Sequence, residues 1–334
     1  MNPERFMIWS DAFAHPVTRG LSAAVGALLI VAPLVIRSLF AAGWIGRERF
    51  DEMFLRWKSW LWLAALILGP ILLGPGCVVV AVAVLSLPCY REFARATGLF
   101  REKLISAVVI LGILAIAVAC LAHQALLFHA LAAGTVGLVV IVTLPKDQPT
   151  GYLQRVALGI MGFLLFGYFF SYLGLLASTA NGRPLLLMIL LSVELNDVFA
   201  YCVGRSIGGR KLIPHTSPGK TVAGSVGALG LTAALVAGLA HLIFQGTAMD
   251  RWDLLLLLGL VVSVLGQLGD LVLSAIKRDL GLKDIGAAIP GHGGLLDRFD
   301  SLVLVPPAVY HFLSLCLGPL GLSLGVQVAT GGGP

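Results

Sequence analysis

Ten apolar runs of helix length follow one another along this chain, and no polar stretch between them is long enough to form a soluble domain. They fall at 21–41, 59–74, 76–90, 104–122, 125–144, 156–178, 185–203, 221–245, 254–276 and 302–325. A helix rises about 1.5 Å per residue and a bilayer core is about 30 Å thick, so most of these runs match a membrane span. Barrel strands would instead alternate over about ten residues. Charged residues make up 12% of the 334, about half the share of a soluble domain, and the mean hydropathy is +0.95. The expected fold class is all-α, a polytopic integral membrane helix bundle of about eight to ten transmembrane helices. The pair 59–90 is interrupted only by Gly74-Pro75-Gly76 and reads as a tight re-entry hairpin with two rather short arms.

Residues 1–180 are expected to form a lipid-facing scaffold, 181–327 a catalytic membrane region with loops at 204–220 and 277–300, and 328–334 a flexible tail. The first apolar run lacks a short hydrophobic core with a small-residue cleavage site, so it is expected to remain as a helix.

The net charge is +6. Its placement excludes nucleic acid as the expected partner, because the bases sit in loops and are not interleaved with aromatics. With ten helices, nineteen of the 23 basic residues fall on one side of the membrane. That bias puts the 204–220 and 277–300 loops in the cytoplasm and both termini outside. The five cysteines have no metal-type spacing and read as small packing residues.

Acids inside apolar runs are candidates for function, because an unpaired carboxylate at membrane depth is costly. Glu194, Asp197 and Asp270 are of this kind; a polar clasp between helices is the plainer alternative. Asp270, Ser274 and Lys277 are spaced i, i+4, i+7, on one helix face, with Arg278 adjacent. Asp297 and Asp300 are three apart and would point the same way from a helix starting near Leu295. Carboxylates of this kind, with waters and substrate phosphates, suit Mg²⁺; lysine and arginine beside them suit phosphate. In the turn Pro290–Gly294, Gly291, Gly293 and Gly294 would bring N–H groups close to phosphate. His292 reads as a loop or phosphate-donor histidine rather than a general base.

The segment 204–220 carries Arg205, Arg210, Lys211 and Lys220, either as positive-inside charge or for phosphate. Gly219-Lys220-Thr221 invites a P-loop reading, but Pro214 replaces the required glycine and no strand is expected before it. Phe163, Phe166, Phe169 and Phe170 are explained by lipid contact. Glu92 is set aside as part of an ordinary charged loop.

From Ser274 to Asp300, the pattern Ser274-x2-Lys277-Arg278-x4-Lys283-Asp284-x-Gly286-x2-Ile289-Pro290-x-His292-Gly293-Gly294-Leu295-x-Asp297-Arg298-Phe299-Asp300 resembles the signature of the phosphatidate cytidylyltransferases (CDP-diacylglycerol synthases). A looser likeness covers Asp197-x2-Ala200-Tyr201-x2-Gly204-Arg205 and Ser217-Pro218-x-Lys220-Thr221-x2-Gly224. There the chain departs from the family, with Gly219 and Ala223 in place of a lysine and a glutamate. The resemblance implies transfer of a cytidylyl group from CTP to phosphatidate, giving CDP-diacylglycerol and pyrophosphate, in a bacterial inner (plasma) membrane with the site facing the cytoplasm. It implies Mg²⁺, held by Asp270, Asp297 and Asp300, and leaves a second cation and a homodimer open. Asp270, Ser274, Lys277, Arg278, Asp297 and Asp300 are the expected catalytic residues. Asp197, Arg205, Ser217, Lys220, Thr221, Lys283, Asp284, His292, Gly293, Gly294 and Arg298 are expected around the substrates. The alternatives are transfer to or from a prenyl-type lipid phosphate and, from another class, an ion-coupled transporter.

Overall fold

The computed structural model describes residues 11–286 and 294–318. Helices α1 (Pro16–Ala41), α2 (Arg47–Leu73), α3 (Pro75–Ala96), α4 (Lys103–Leu121) and α5 (Ala125–Ile141) are followed by α6 (Tyr152–Ala177), α7 (Gly182–Ile207) and a short hairpin. The hairpin pairs β1 (Lys211–Ile213) with β2 (Ser217–Thr221) and leads into α8 (Val222–Phe244), α9 (Trp252–Asp279) and α10 (Val305–Leu317). Among the described residues nine helices are long and apolar enough to cross a membrane. The protein is an integral membrane helix bundle.

The arms around Gly74 are longer than their apolar runs implied. The helix α2 begins at Arg47 with polar first turns, and among the described residues it is not one of the nine apolar spans, whereas α3 is. Gly74, at φ 143°, lets the chain reverse directly into Pro75, whose ring suits a first helical turn. At the other end, α10 is described only to Leu317, and the 328–334 tail lies outside the described residues.

Three of the four phenylalanines of α6 do not face lipid, and Phe169 is half-buried. Phe163, Phe166 and Phe170 are fully or almost fully buried, packed against α3 and α4, and Phe166 lies 5.4 Å from Phe93. A π-helical turn over Phe163–Tyr168 turns these rings inward. Lipid exposure belongs instead to α1, which is the least buried of the spans.

α7, α8 and α9 pack most extensively and support the site. Asn196 on α7 accepts hydrogen bonds from Thr232 of α8 at 3.0 Å and Ser263 of α9 at 2.6 Å. Gln267 of α9 continues the clasp to Ser225 of α8. Within hydrocarbon a polar group must find its partner inside the protein, so this network fixes how the three helices meet.

The helices also approach closely where they lack side chains. A Cβ at Gly224 would meet the Ala200 carbonyl oxygen at 2.4 Å and Gly204 Cα at 3.0 Å, whereas one at Gly230, two turns on, would meet nothing. Gly224→Ala is therefore expected to destabilise the protein by about 1–3 kcal/mol through overpacking, and Gly230→Ala to leave it as stable or slightly more so. Thermal unfolding in detergent of the two variants side by side checks this.

Candidate active site

At one end of α7 and α9, beside the β hairpin, four carboxylates and two lysines alternate in space. Lys220, on β2, reaches from the hairpin to Asp270 on α9, with which it forms a tight ion pair, and lies 3.9 Å from Asp197 on α7. Lys277, two turns beyond Asp270, lies 3.1 Å from Asp297 and 3.6 Å from Asp300. The side chains of Lys277 and Asp297 are only 11% and 5% exposed, so their charges are held away from bulk water. Such groups persist only when paired.

The local sequence explains the arrangement. The i, i+4, i+7 spacing does place Asp270, Ser274 and Lys277 along one face of α9, and Ser274 donates to Asp270 at 3.3 Å. Asp297 and Asp300 sit on two successive 3₁₀ turns, Leu296–Arg298 and Asp300–Leu302, rather than on a new α-helix. Both still reach the same ammonium group. Ser301 donates its hydroxyl to Asp197 at 2.7 Å and its backbone N–H to Asp300 at 2.9 Å, joining that segment to α7.

Other expected site residues lie elsewhere. Arg278 donates to the carbonyls of Thr216 and Leu282, bracing the hairpin against the end of α9. Arg205 is exposed and donates to the Tyr201 hydroxyl. Ser217 opens β2, and Lys283 and Asp284 are exposed on the loop after α9. Thr221 is buried and caps α8, accepting from the Gly224 N–H at 3.0 Å. A strand does precede α8, contrary to expectation. Because Gly219-Lys220-Thr221 forms that strand, it is not a loop wrapped around phosphate, and the P-loop remains excluded. His292 and Gly293 lie outside the described residues.

Gly294 donates its N–H to Asp297 Oδ2 at 3.1 Å, as does Ile285, while Asp297 Oδ1 takes Lys277. Asp297 thus ties the loop to α9. A residue set aside in the sequence joins it: Glu92, near the end of α3, accepts from the N–H groups of Leu295 at 3.1 Å and Leu296 at 2.9 Å. Nothing local marks Glu92 for this; an acid beside Arg91 at a helix end looks like any charged loop.

A cavity of about 370 Å³ opens beside the charged cluster. Its polar wall carries Glu194, Asp197, Arg298 and Asp300, and its apolar wall carries Trp60, Leu63 and Ile67 of α2. One space therefore offers charged groups at one side and a lipid-like surface at the other.

The model of the cytidylyltransferase family matches residues 54–316. The chain belongs to this family. It is 35% identical over 252 residues to a protein named phosphatidate cytidylyltransferase from Staphylococcus haemolyticus, covering 73% of this chain and 93% of the relative. A protein of the same name from Staphylococcus aureus (strain COL) is 44% identical over 141 residues, covering 42% of this chain and 52% of the relative. The uncharacterized protein YnbB of Escherichia coli (strain K12) is 33% identical over 301 residues, covering 87% and 96%. All of the charged cluster falls within the family match.

The chemistry of the donor set fits a hard divalent cation. Carboxylate oxygens are the usual Mg²⁺ ligands, and one or two of them suffice when substrate phosphates and water supply the rest. Among the described residues no three His, Cys, Asp or Glu side chains converge closely enough to hold a metal ion. Asp270, Asp297 and Asp300 are thus not a cage by themselves, and all three have their oxygens engaged by protein groups, a lysine among them in each case.

Thr221→Ala should lower stability by about 1 kcal/mol, and Thr221→Ser should restore it, because either hydroxyl can cap α8. Thermal unfolding together with nucleotide-binding titration distinguishes this from a substrate contact, for which Thr221→Ala would weaken nucleotide binding without lowering stability.

Proposed function

We propose that this protein transfers the cytidylyl group of CTP to phosphatidate, releasing pyrophosphate. The observation that carries this reading is the cavity beside the charged cluster, lined by Asp197, Asp297, Arg298 and Asp300 on one side and by the apolar face of α2 on the other. A substrate with a phosphate head and acyl tails requires both surfaces at once. The relatives named phosphatidate cytidylyltransferase support the same substrates.

In this reaction a phosphatidate oxygen attacks the α-phosphorus of CTP. A new P–O bond forms, the bond between the α-phosphorus and the oxygen bridging to the β-phosphorus breaks, and pyrophosphate carries the electron pair away. The nucleophile is already ionised near neutral pH, so alignment and charge neutralisation matter more than proton removal. Lys220 and Lys277 exchange part of their pairing with aspartates for substrate phosphates. Ser274 orients Asp270, and Arg298 stands on the polar wall of the cavity. Asp270, Asp297 and Asp300 would hold Mg²⁺, whose part is to neutralise phosphate oxygens when bound. Trp60, Leu63 and Ile67 receive the start of the acyl chains, which continue sideways into the bilayer. CTP enters from the cytoplasm, the side chosen by the bias of basic residues.

The test uses purified protein in lipid–detergent micelles with phosphatidate, Mg²⁺ and radiolabelled CTP, following label into the organic phase. Labelling is expected with Mg²⁺ and not with chelator. Asp270→Asn and Asp300→Asn should each lower turnover at least about 100-fold, the scale for losing a group that stabilises transition-state charge. Wild-type turnover with unchanged Mg²⁺ dependence in either variant would overturn its assignment as a ligand.

A further inference from the structure

We propose that Glu92 is a positioning residue for this transfer: it holds the loop that carries Asp297, Arg298 and Asp300, and Gly286 is a glycine because Glu92 must fit against it. The inference rests on the function proposed above for what the loop does, but not for how the loop is held.

Both oxygens of Glu92 accept backbone N–H groups, those of Leu295 and Leu296, where the first 3₁₀ turn begins. These N–H groups have no partner within the turn, and a carboxylate satisfies them with charge-assisted hydrogen bonds. The adjacent Phe93 is fully buried against Phe166, so the end of α3 cannot shift without unpacking the core. The N-terminal helices, expected as scaffold, thereby reach the charged cluster. The path runs from Glu92 to Leu295 and Leu296, then to Asp297, to Lys277 and to Asp300.

The glycines bear the imprint of this contact. A Cβ at Gly286 would meet Glu92 Oε1 at 2.5 Å, Cδ at 2.6 Å and Oε2 at 3.0 Å, and these are its three nearest atoms. A Cβ at Gly294 would meet Glu92 Oε2 at 2.9 Å, together with Asp297 Oδ2 at 2.9 Å and Gly286 N at 2.8 Å. At Gly294 the nearest atom is backbone, and at Gly286 an added methyl group could enter only by displacing the Glu92 carboxylate. The N–H groups of Ile285, Gly294, Leu295 and Leu296 are thus spent on protein carboxylates rather than left for phosphate.

A double-mutant cycle tests the proposal, because Gly286→Ala strikes Glu92 before anything else. Glu92→Ala should lower kcat about 10- to 100-fold, the scale for losing a support behind a ligand. KM for CTP should change little, since Lys220 and Asp270 stand on other elements. Gly286→Ala alone should also lower kcat, and the double variant should be no worse than Glu92→Ala. If Glu92→Ala does not fold, Glu92→Asp takes its place, since its shorter side chain makes room for the added methyl group. Limited trypsin digestion gives a readout independent of catalysis: cleavage between 277 and 298 should speed up in the Glu92 variant while the thermal midpoint hardly moves. Wild-type kcat and digestion in that variant would overturn the proposal. So would losses that multiply in the double variant. Absence of lipid labelling by the wild-type protein would sink the proposed function, while the digestion result would still decide the role of Glu92.

Discussion

Carboxylates at the end of a membrane helix bundle stay together only if positive charge lies between them. Here Lys220 stands between Asp197 and Asp270, and Lys277 between Asp297 and Asp300. Much of the nearby architecture follows from this requirement. The β hairpin exists at the right height to deliver Lys220, and α9 runs two turns past Asp270 to deliver Lys277. Removing one lysine leaves partly buried like charges facing each other, a far larger loss than that of a surface ion pair.

Placing those charges needs rigid supports, and the membrane limits which ones are available. Apolar packing holds helices weakly to one another in lipid, so polar clasps and close backbone approach take over. Asn196 lies one residue before Asp197 and binds α8 and α9, so it sets the height of the carboxylates relative to one another. Gly204 and Gly224 bring α7 and α8 together directly beneath the hairpin. The same economy applies to the residues around Asp297, where Ile285, Gly294, Leu295 and Leu296 give their N–H groups to Asp297 and Glu92.

The site joins two kinds of surface. The cavity's charged side is made by α7 and the 3₁₀ turns, with α9 and the hairpin supplying the lysines behind them; its apolar side is made by α2, from the opposite end of the sequence. A phospholipid substrate presents the same division, with its phosphate at the level where helices end and its chains at the level where they pack. Membership of the cytidylyltransferase family agrees with a reaction between a charged nucleotide and a molecule that stays in the bilayer.

Helix-length apolar runs, the shared face of Asp270, Ser274 and Lys277, and the pairing of Asp297 with Asp300 were all legible from residue order. Each depends on periodicity, hydropathy or spacing within a few turns, and those are local properties. Contacts across the fold were not legible. Thr221, expected beside the substrates, caps α8; Phe163, Phe166 and Phe170 looked lipid-facing and are core; Glu92 looked incidental and accepts N–H groups more than two hundred residues away. Which side of a helix meets protein and which meets lipid depends on its neighbours, because both are equally apolar. Whether a carboxylate binds a metal, a lysine or a backbone N–H depends on what the fold brings within about 3 Å. Only the packed chain decides that.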